Sequence, residues 1–299
     1  MLVDVAINYY GKPYHTMVAL GSLLAHSGHV IDRIYLIKER QQPAGAQIID
    51  DLLAQQDWRV ETFTPAYYLG WQRSRGARVL LNRLLFGPRK ESFRLSYRYQ
   101  YALEKTDKRW LFLTHNDALF QGDVLTPLIE IAEGSGHAGV GDIGNCWKCP
   151  AHAAGLCLDH TPGNLHLSPD EALALYEQHP LAARGSAAPH LSPSNPVPFP
   201  ECRLNEWFAL VDANVYRRET KPWGSAEPLG TYELGDIGIA WFRDMMHKGH
   251  TFAHAEGPYA HPWTPQRSGG GHEALFDREL YEAEEHAAMV YFLENFGQG

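Results

Sequence analysis

No stretch of the 299 residues approaches about 18 consecutive apolar positions, which excludes a membrane-spanning helix. The N-terminus carries Asp4 and no basic residue ahead of its apolar run. It therefore does not read as a secretory leader, and a cytoplasmic protein is expected. The apolar run is not followed by Gly-x-Gly-x-x-Gly, which speaks against a dinucleotide-binding dehydrogenase. Basic charge is in deficit: 26 Lys and Arg against 35 Asp and Glu leave a net charge of −9, contrary to general nucleic-acid binding. Cysteine is scarce, four in all, and each falls between positions 146 and 202. The remainder is ordinary for a globular protein, with 44% apolar and 20% charged residues, enough to bury a sizeable core.

The order of elements in the first third indicates the fold class. Leu2 to Ile7 reads as a β-branched strand, and Tyr14 to His26 as a helix with Met17, Leu20, Leu23 and Leu24 at helical spacing. Ile31 to Ile37 is a second strand, Gln47 to Gln55 a second helix and Trp58 to Phe63 a third strand. This alternation predicts an α/β fold with a mostly parallel sheet and right-handed crossovers. Residues 67 to 91 are rich in Arg and aromatics and read as a surface excursion; Ser92 to Glu104 then reads as one helix with Ser92 as N-cap.

Trp110 to Thr114 is an apolar run that reads as a buried central strand, and polar chemistry begins abruptly at its end with His115, Asn116 and Asp117. In open α/β sheets ligands sit outside the carboxyl ends of the strands. A lone carboxylate there, with nitrogen and oxygen neighbours, suits a hydrated divalent cation carrying phosphates. Asn-Asp as plain turn formers account for the same residues.

Further along, Cys146-Trp-Lys-Cys149, Cys157 and Cys202 form one compact pattern that suits four thiolates on a structural zinc ion, Zn2+. His152 or His160 can replace one thiolate, and an iron–sulfur cluster is the alternative. A redox Cys-x-x-Cys requires a thioredoxin-like context that is missing. Ser168-Pro-Asp-Glu171 opens a helix with a Ser cap. Arg203 to Val211 is apolar and mixed, and Asn205 and Glu206 within it are candidates to face an acceptor. Asp236 precedes an amphipathic helix carrying Ile237, Ala240, Trp241 and Met245, with Gly249 as its terminator. His250 to His254 is a short last strand, a loop with Ser268-Gly-Gly-Gly-His272 follows, and Glu273 to Phe296 forms a terminal helix with acids at Glu282, Glu284 and Glu285.

Residues 92 to 128 resemble the core of nucleotide-sugar glycosyltransferases of the GT-A fold: a helix, an apolar strand, an Asp-x-Asp motif and a Gly-Asp just beyond. Here these are His115-Asn116-Asp117 and Gly122-Asp123, with His115 in place of the first Asp. The region from Gly230 to Gly249 looks like the acceptor-side helix of inverting family 2 enzymes. The resemblance covers residues 1–125 and about 230–260 and leaves the cysteine region outside.

It implies a GT-A-like single domain over 1–299, with a nucleotide-sugar half at 1–125. The acceptor-side half spans 126–299 and includes a zinc-stapled insertion at 144–202. It implies Mn2+ or Mg2+ on Asp117, with His254 or His261 as further metal candidates and His272 beside them. It also implies donor contacts from Asn8, Tyr9, Tyr10, Glu39, Arg94, His115, Asn116 and Asp117, and Asp236 as the base that deprotonates an acceptor hydroxyl. The expected function is metal-dependent transfer of a sugar from a nucleotide-sugar to an unknown acceptor, with inversion. A nucleotidyltransferase on a related sheet, and a non-catalytic sugar- or protein-binding module, are the alternatives.

Overall fold

The computed structural model describes residues 1–39, 43–67, 69, 89–143, 146, 149–157, 160, 165, 167–179, 199, 202–233, 236–260 and 277–297. The chain opens with β1 (Val3–Tyr9), α1 (Pro13–Ser27), β2 (Ile31–Lys38), α2 (Pro43–Leu53) and β3 (Val60–Phe63). Two short helices, α3 (Glu91–Arg94) and α4 (Gln100–Lys105), lead to β4 (Trp110–His115), β5 (Leu119–Phe120), α5 (Leu125–Ser135) and β6 (Gly139–Ile143). Then come α6 (Pro150–Ala153), α7 (Pro169–Gln178), β7 (Leu204–Asp212), α8 (Ala213–Glu219), β8 (Tyr232–Glu233) and β9 (Asp236–Ile237). The chain closes with α9 (Ile239–His247), β10 (Phe252–His254), β11 (Tyr259–Ala260) and α10 (Arg278–Asn295).

Seven strands form one sheet in the order β10-β6-β7-β4-β1-β2-β3. β7 runs antiparallel to both of its neighbours, and the remaining pairs are parallel. The α/β fold with a mostly parallel, helix-flanked sheet is therefore present. Because a strand sends successive side chains to opposite faces, β1 and β4 supply two cores. Val3, Val5, Ile7, Tyr9, Trp110 and Phe112 join one with α1, α2, α5 and α10; Ala6, Leu111 and Leu113 join the other with α4, α8 and α9. The chain leaves β1 toward β2 and β3, then crosses to β4 on the other side. The carboxyl ends of β1 and β4 are thus the switch point where open α/β sheets hold ligands.

Three local expectations are corrected. The single helix over Ser92–Glu104 is broken, because Tyr99 takes the left-handed conformation (φ 62°) that starts α4. Tertiary contacts outweigh the helical period here. The Arg98 backbone bridges to Gly230, where a Cβ would stand 2.3 Å from Arg98 N, and the Tyr99 hydroxyl donates to Thr114 O or Glu206 O, both at 3.3 Å. Ser92 is not the cap of α3, whose N-cap is Lys90; its carbonyl accepts from Ser96 Oγ instead. Ile237 lies not in the helix expected after Asp236 but in β9, and α9 begins at Ile239 behind Gly238 (φ 83°). The Ser168 start, by contrast, forms a reciprocal capping box with Glu171.

Two acids of α10, Glu284 and Glu285, face the body, while Glu282 stays exposed. The N-cap of α1 is Lys12, which is left-handed (φ 59°) and makes no side-chain cap. Glu285 fills that role from across the chain, accepting from Tyr14 N at 3.1 Å and His15 N at 3.3 Å while also pairing with His15 Nδ1. Glu284 meets buried Lys12 Nζ at 3.3 Å, and the Tyr281 hydroxyl accepts from Lys12 N at 2.9 Å. This satisfies amides that a helix N-terminus leaves without partners. Replacing Glu285 by Ala removes the acceptor of both those amides and is expected to cost roughly 3 kcal/mol in urea unfolding; Glu285→Gln, which still accepts hydrogen bonds, is expected to lose less.

Candidate functional site

β1 and β4 are in register so that Asn8 lies opposite His115 at the switch point. The motif follows directly. Asn116 Nδ2 donates to Gly11 O at 2.8 Å and to Thr16 Oγ1 at 3.1 Å, tying the end of β4 to the loop between β1 and α1. Asp117 is buried, with Oδ1 4.0 Å from His115 Nδ1. Asp123, the acid of the Gly-Asp pair, caps α5 through Leu125 N and Thr126 N and accepts from Ser27 Oγ. Burial works against its charge, but these hydrogen bonds outweigh it and hold the carboxyl below the usual range.

From the other side of β1, Glu39 enters just past β2. Its Oε1 receives Arg98 Nε at 2.8 Å in a partly buried ion pair. Burial opposes the Arg98 charge, and Glu39, together with Tyr99, Glu206 and Tyr10, more than restores it. Tyr10 lies among these groups: burial, then the Asp117 charge, push its phenol well up, with Arg98 acting against them.

β7 brings a residue that the sequence marked only as an acceptor candidate. Its register with β4 pairs Thr114 with Phe208. Just beyond this pair, the rings of Trp207 and His115 stand 6.1 Å apart. Glu206 Oε1 lies 3.7 Å from His115 Nε2. Burial pushes the Glu206 carboxyl up, but the His115 ring and the Arg203 guanidinium overcome that and bring it down to about 2. Arg203 Nε in turn donates to Ile237 O at 2.9 Å, which draws the β9 backbone beside the start of β7.

Several buried polar atoms at this edge have no hydrogen bond to any described group: both side-chain atoms of Asn8, Glu39 Oε2, both nitrogens of His115, Asn116 Oδ1 and Glu206 Oε2. Such atoms are rare in folded proteins and costly, at about 1–3 kcal/mol each, unless a ligand or water serves them. Their convergence at one switch point is a physical signature of a polar ligand site.

The structure thus gathers Asn8, Tyr10, Glu39, His115, Asn116 and Asp117. Tyr9 alternates to the opposite face and packs in the α1-side core. Arg94 turns away to Glu104, at 2.6 Å from Nε to Oε1, and stacks over Trp223; Arg98, on the same expected helix face, stands in the site instead. The Asp236 backbone pairs with Glu233 in β9, and its side chain lies outside the described set. His261 and His272, the glycine-rich loop, and most of the Arg-rich stretch 67–91 also lie outside the described residues.

His254 stands two strands beyond β7, at the sheet edge. Its Nδ1 accepts from Ile143 N at 3.1 Å and lies 3.9 Å from Asp142 Oδ1, and its Nε2 lies 3.9 Å from Glu256 Oε1. Asp142, His254 and Glu256 are the set of three or more metal-binding side chains that converge within 4.8 Å among the described residues. The four cysteines do not form such a set. Cys149, Cys157 and Cys202 pack in a small apolar cluster with Ala172, Tyr176 and Phe199, and Cys146 Sγ turns to His160 Nδ1 at 2.9 Å. Burial, followed by Cys149 and Cys157, pushes the Cys146 thiol up to about 12.

No protein-family model and no curated protein matches the chain. Among solved structures it is similar to a mannosyltransferase from Pyrobaculum calidifontis in complex with GDP-Man and Mn2+. That match has 10% identity and a TM-score of 0.44 over 85% of this chain and 54% of that one, so the chain spans about half of that protein's length. It is also similar to mouse xyloside xylosyltransferase 1, at 11% identity and a TM-score of 0.44, covering 86% of each chain. A third is glucosyl-3-phosphoglycerate synthase from Mycobacterium tuberculosis in complex with Mn2+, UDP and phosphoglyceric acid, at 11% identity and a TM-score of 0.46, covering 98% of this chain and 78% of that one.

The Glu206 environment predicts a pH dependence. Its folded carboxyl titrates near 2, below the ordinary 4.5, so its contribution to stability is complete above about pH 4.5 and is lost as the pH falls toward 2. The stability difference between wild type and Glu206→Gln, measured by urea unfolding, is expected to shrink as pH is lowered from about 5 to about 2.5.

Proposed function

We propose that this protein transfers a sugar from a nucleotide-sugar to an acceptor hydroxyl, with the donor bound across the carboxyl ends of β2, β1 and β4. The observation that carries the reading is the convergence of buried polar atoms lacking hydrogen bonds at the switch point, from Asn8, Glu39, His115 and Asn116. A ligand that is both charged and rich in hydroxyls and ring nitrogens satisfies such a set; an apolar ligand does not. In this reading Asn8, Tyr10 and Glu39 receive the nucleoside, and Arg98 orients Glu39.

A divalent Mn2+ or Mg2+ ion fits the motif. The buried Asp117 carboxylate, the His115 imidazole and the Asn116 carbonyl oxygen are oxygen and nitrogen donors at one strand end, the chemistry such cations take. When bound, the ion supplies charge neutralisation for the leaving diphosphate. His254 is a weaker candidate ligand than the motif residues, because its Nδ1 lone pair already accepts the Ile143 amide.

Asp236 is assigned as the base that takes the acceptor's proton, giving inversion at the anomeric carbon. Support comes from its place in the sequence and from the Arg203 bond that brings Ile237 O, one residue on, close to the start of β7. An acceptor proton held by a positioned carboxylate is worth roughly 10²–10⁴-fold in rate.

The reading is tested by binding and turnover with a panel of nucleotide-sugars, with and without Mn2+. Asp117→Asn is expected to lose the metal-dependent part of donor binding while keeping its melting temperature. Asp236→Asn is expected to bind donor normally and to slow transfer at least about a hundredfold. Donor binding that is equal with and without metal in the wild type removes the cation from the site.

Zinc at the thiols forms a second part of the reading. It is favoured by the close approach of Cys146 Sγ to His160 Nδ1 at 2.9 Å and by the other three cysteines sharing one small cluster. Elemental analysis of purified protein is expected to give one zinc per chain, lost with destabilisation in Cys149→Ser; metal-free protein of unchanged stability overturns it.

A further inference from the structure

We propose that Glu206 recognises the sugar of the donor, its Oε2 accepting a hydrogen bond from a sugar hydroxyl. The inference rests on the nucleotide-sugar reading above and extends it to a residue which that reading leaves without a role.

Neighbouring strands lie about 4.8 Å apart, and the sheet order β2-β1-β4-β7 sets out the site residues in that sequence. Glu39 follows β2, Asn8 ends β1, Asp117 follows β4, and Glu206 lies in the first turn of chain of β7. A nucleotide-sugar is itself linear, with nucleoside, diphosphate and sugar in that order. With the nucleoside at Glu39 and Asn8 and the diphosphate at the Asp117 position, the next portion of ligand reaches β7.

Charge decides what can face Glu206. The side chain is buried, with 6% exposure, at the end of the sheet edge where Arg203 and His115 stand beside it. A diphosphate is repelled by a carboxylate, so the group that meets Oε2 is an uncharged hydrogen-bond donor. Sugar hydroxyls are the donors that remain at this end of the ligand. Oε2 has no hydrogen bond to any described group, whereas Oε1 faces His115 Nε2 at 3.7 Å. Oε1 is turned toward the protein and Oε2 is left to bond. Tyr99 fixes the backbone beneath it by its reach to Glu206 O, and Trp207, whose Nε1 donates to Asp142 Oδ2 at 3.2 Å, fixes the following residue. The carboxylate is therefore rigidly placed, as a residue that discriminates among sugars must be.

The experiment compares the affinity of wild type, Glu206→Gln and Glu206→Asp for UDP, GDP, UDP-glucose, UDP-N-acetylglucosamine and GDP-mannose, each with Mn2+, by calorimetry. Wild type is expected to bind one nucleotide-sugar more tightly than its own nucleoside diphosphate. Both variants are expected to lose that preference by at least about tenfold, the scale of a hydrogen bond to a charged group, with nucleoside diphosphate affinity within about twofold of wild type. Glu206→Asp keeps the charge beside Arg203 and His115, so it provides the comparison if the Gln variant melts early. Equal weakening toward sugar-bearing and sugar-free ligands assigns Glu206 a structural role and overturns the proposal, as does no change toward either. A wild type that binds none of the five ligands overturns the nucleotide-sugar reading and this proposal together.

Discussion

The ion pair between Arg98 and Glu39 is the interaction on which the polar edge of this sheet depends. Three carboxylates, Glu39, Asp117 and Glu206, stand within three strands of one another and are all buried or nearly so. Carboxylates brought that close raise one another's proton affinity and oppose burial. Arg98 answers Glu39 directly, and its field extends to Glu206 and Tyr10; Arg203 answers Glu206 from the far side. The position of Arg98 is itself set by backbone geometry, because its peptide unit bridges to Gly230 at a spacing no side chain at 230 would permit. Breaking the expected helix at Tyr99 is the local cost of that placement, since a left-handed non-glycine residue carries strain of order 1 kcal/mol.

Much of the frame was legible because it is written in local pattern. The β-branched runs at β1 and β2, the period of α1, the apolar run of β4 and the Ser168 cap each specify one element within a few residues. His115, Asn116 and Asp117 were legible for the same reason, since polar residues that end an apolar strand declare their position; Asn8 and Glu39 came from the resemblance. What escaped depends on pairs distant in sequence. The antiparallel course of β7 follows from sheet closure, and with it comes the placement of Glu206 near His115. Which of Arg94 and Arg98 faces the site cannot follow from helical period once the helix is broken. Tyr9 illustrates the opposite lapse: alternation along β1, visible in the sequence, already sends it away from the face that Asn8 occupies. The cysteine pattern specifies chemistry but not convergence, and three of those side chains here do apolar packing work.

His115 has a double position. It stands where the resembling motif has an acid, and it lies between Asp117 and Glu206, at 4.0 Å and 3.7 Å. An acid there would add a fourth negative charge to the edge; an imidazole adds none and offers either a lone pair or a proton to what lies beside it. The substitution therefore permits Glu206 to remain ionised one strand away. The two departures, a His in the motif and an ionised acid on β7, belong together electrostatically.

The capping of α1 by Glu285 has a consequence for how the chain is made. Glu285 and His15 are 270 positions apart, so the helix that follows β1 is capped by a residue synthesised long after it. At about 5–20 residues per second the interval is on the order of 15–50 s. Until then the first helix emerges with exposed amides at its N-terminus and Lys12 without its acid. Strands β1 to β4 can assemble early, but the start of α1 is locked only once α10 has been made.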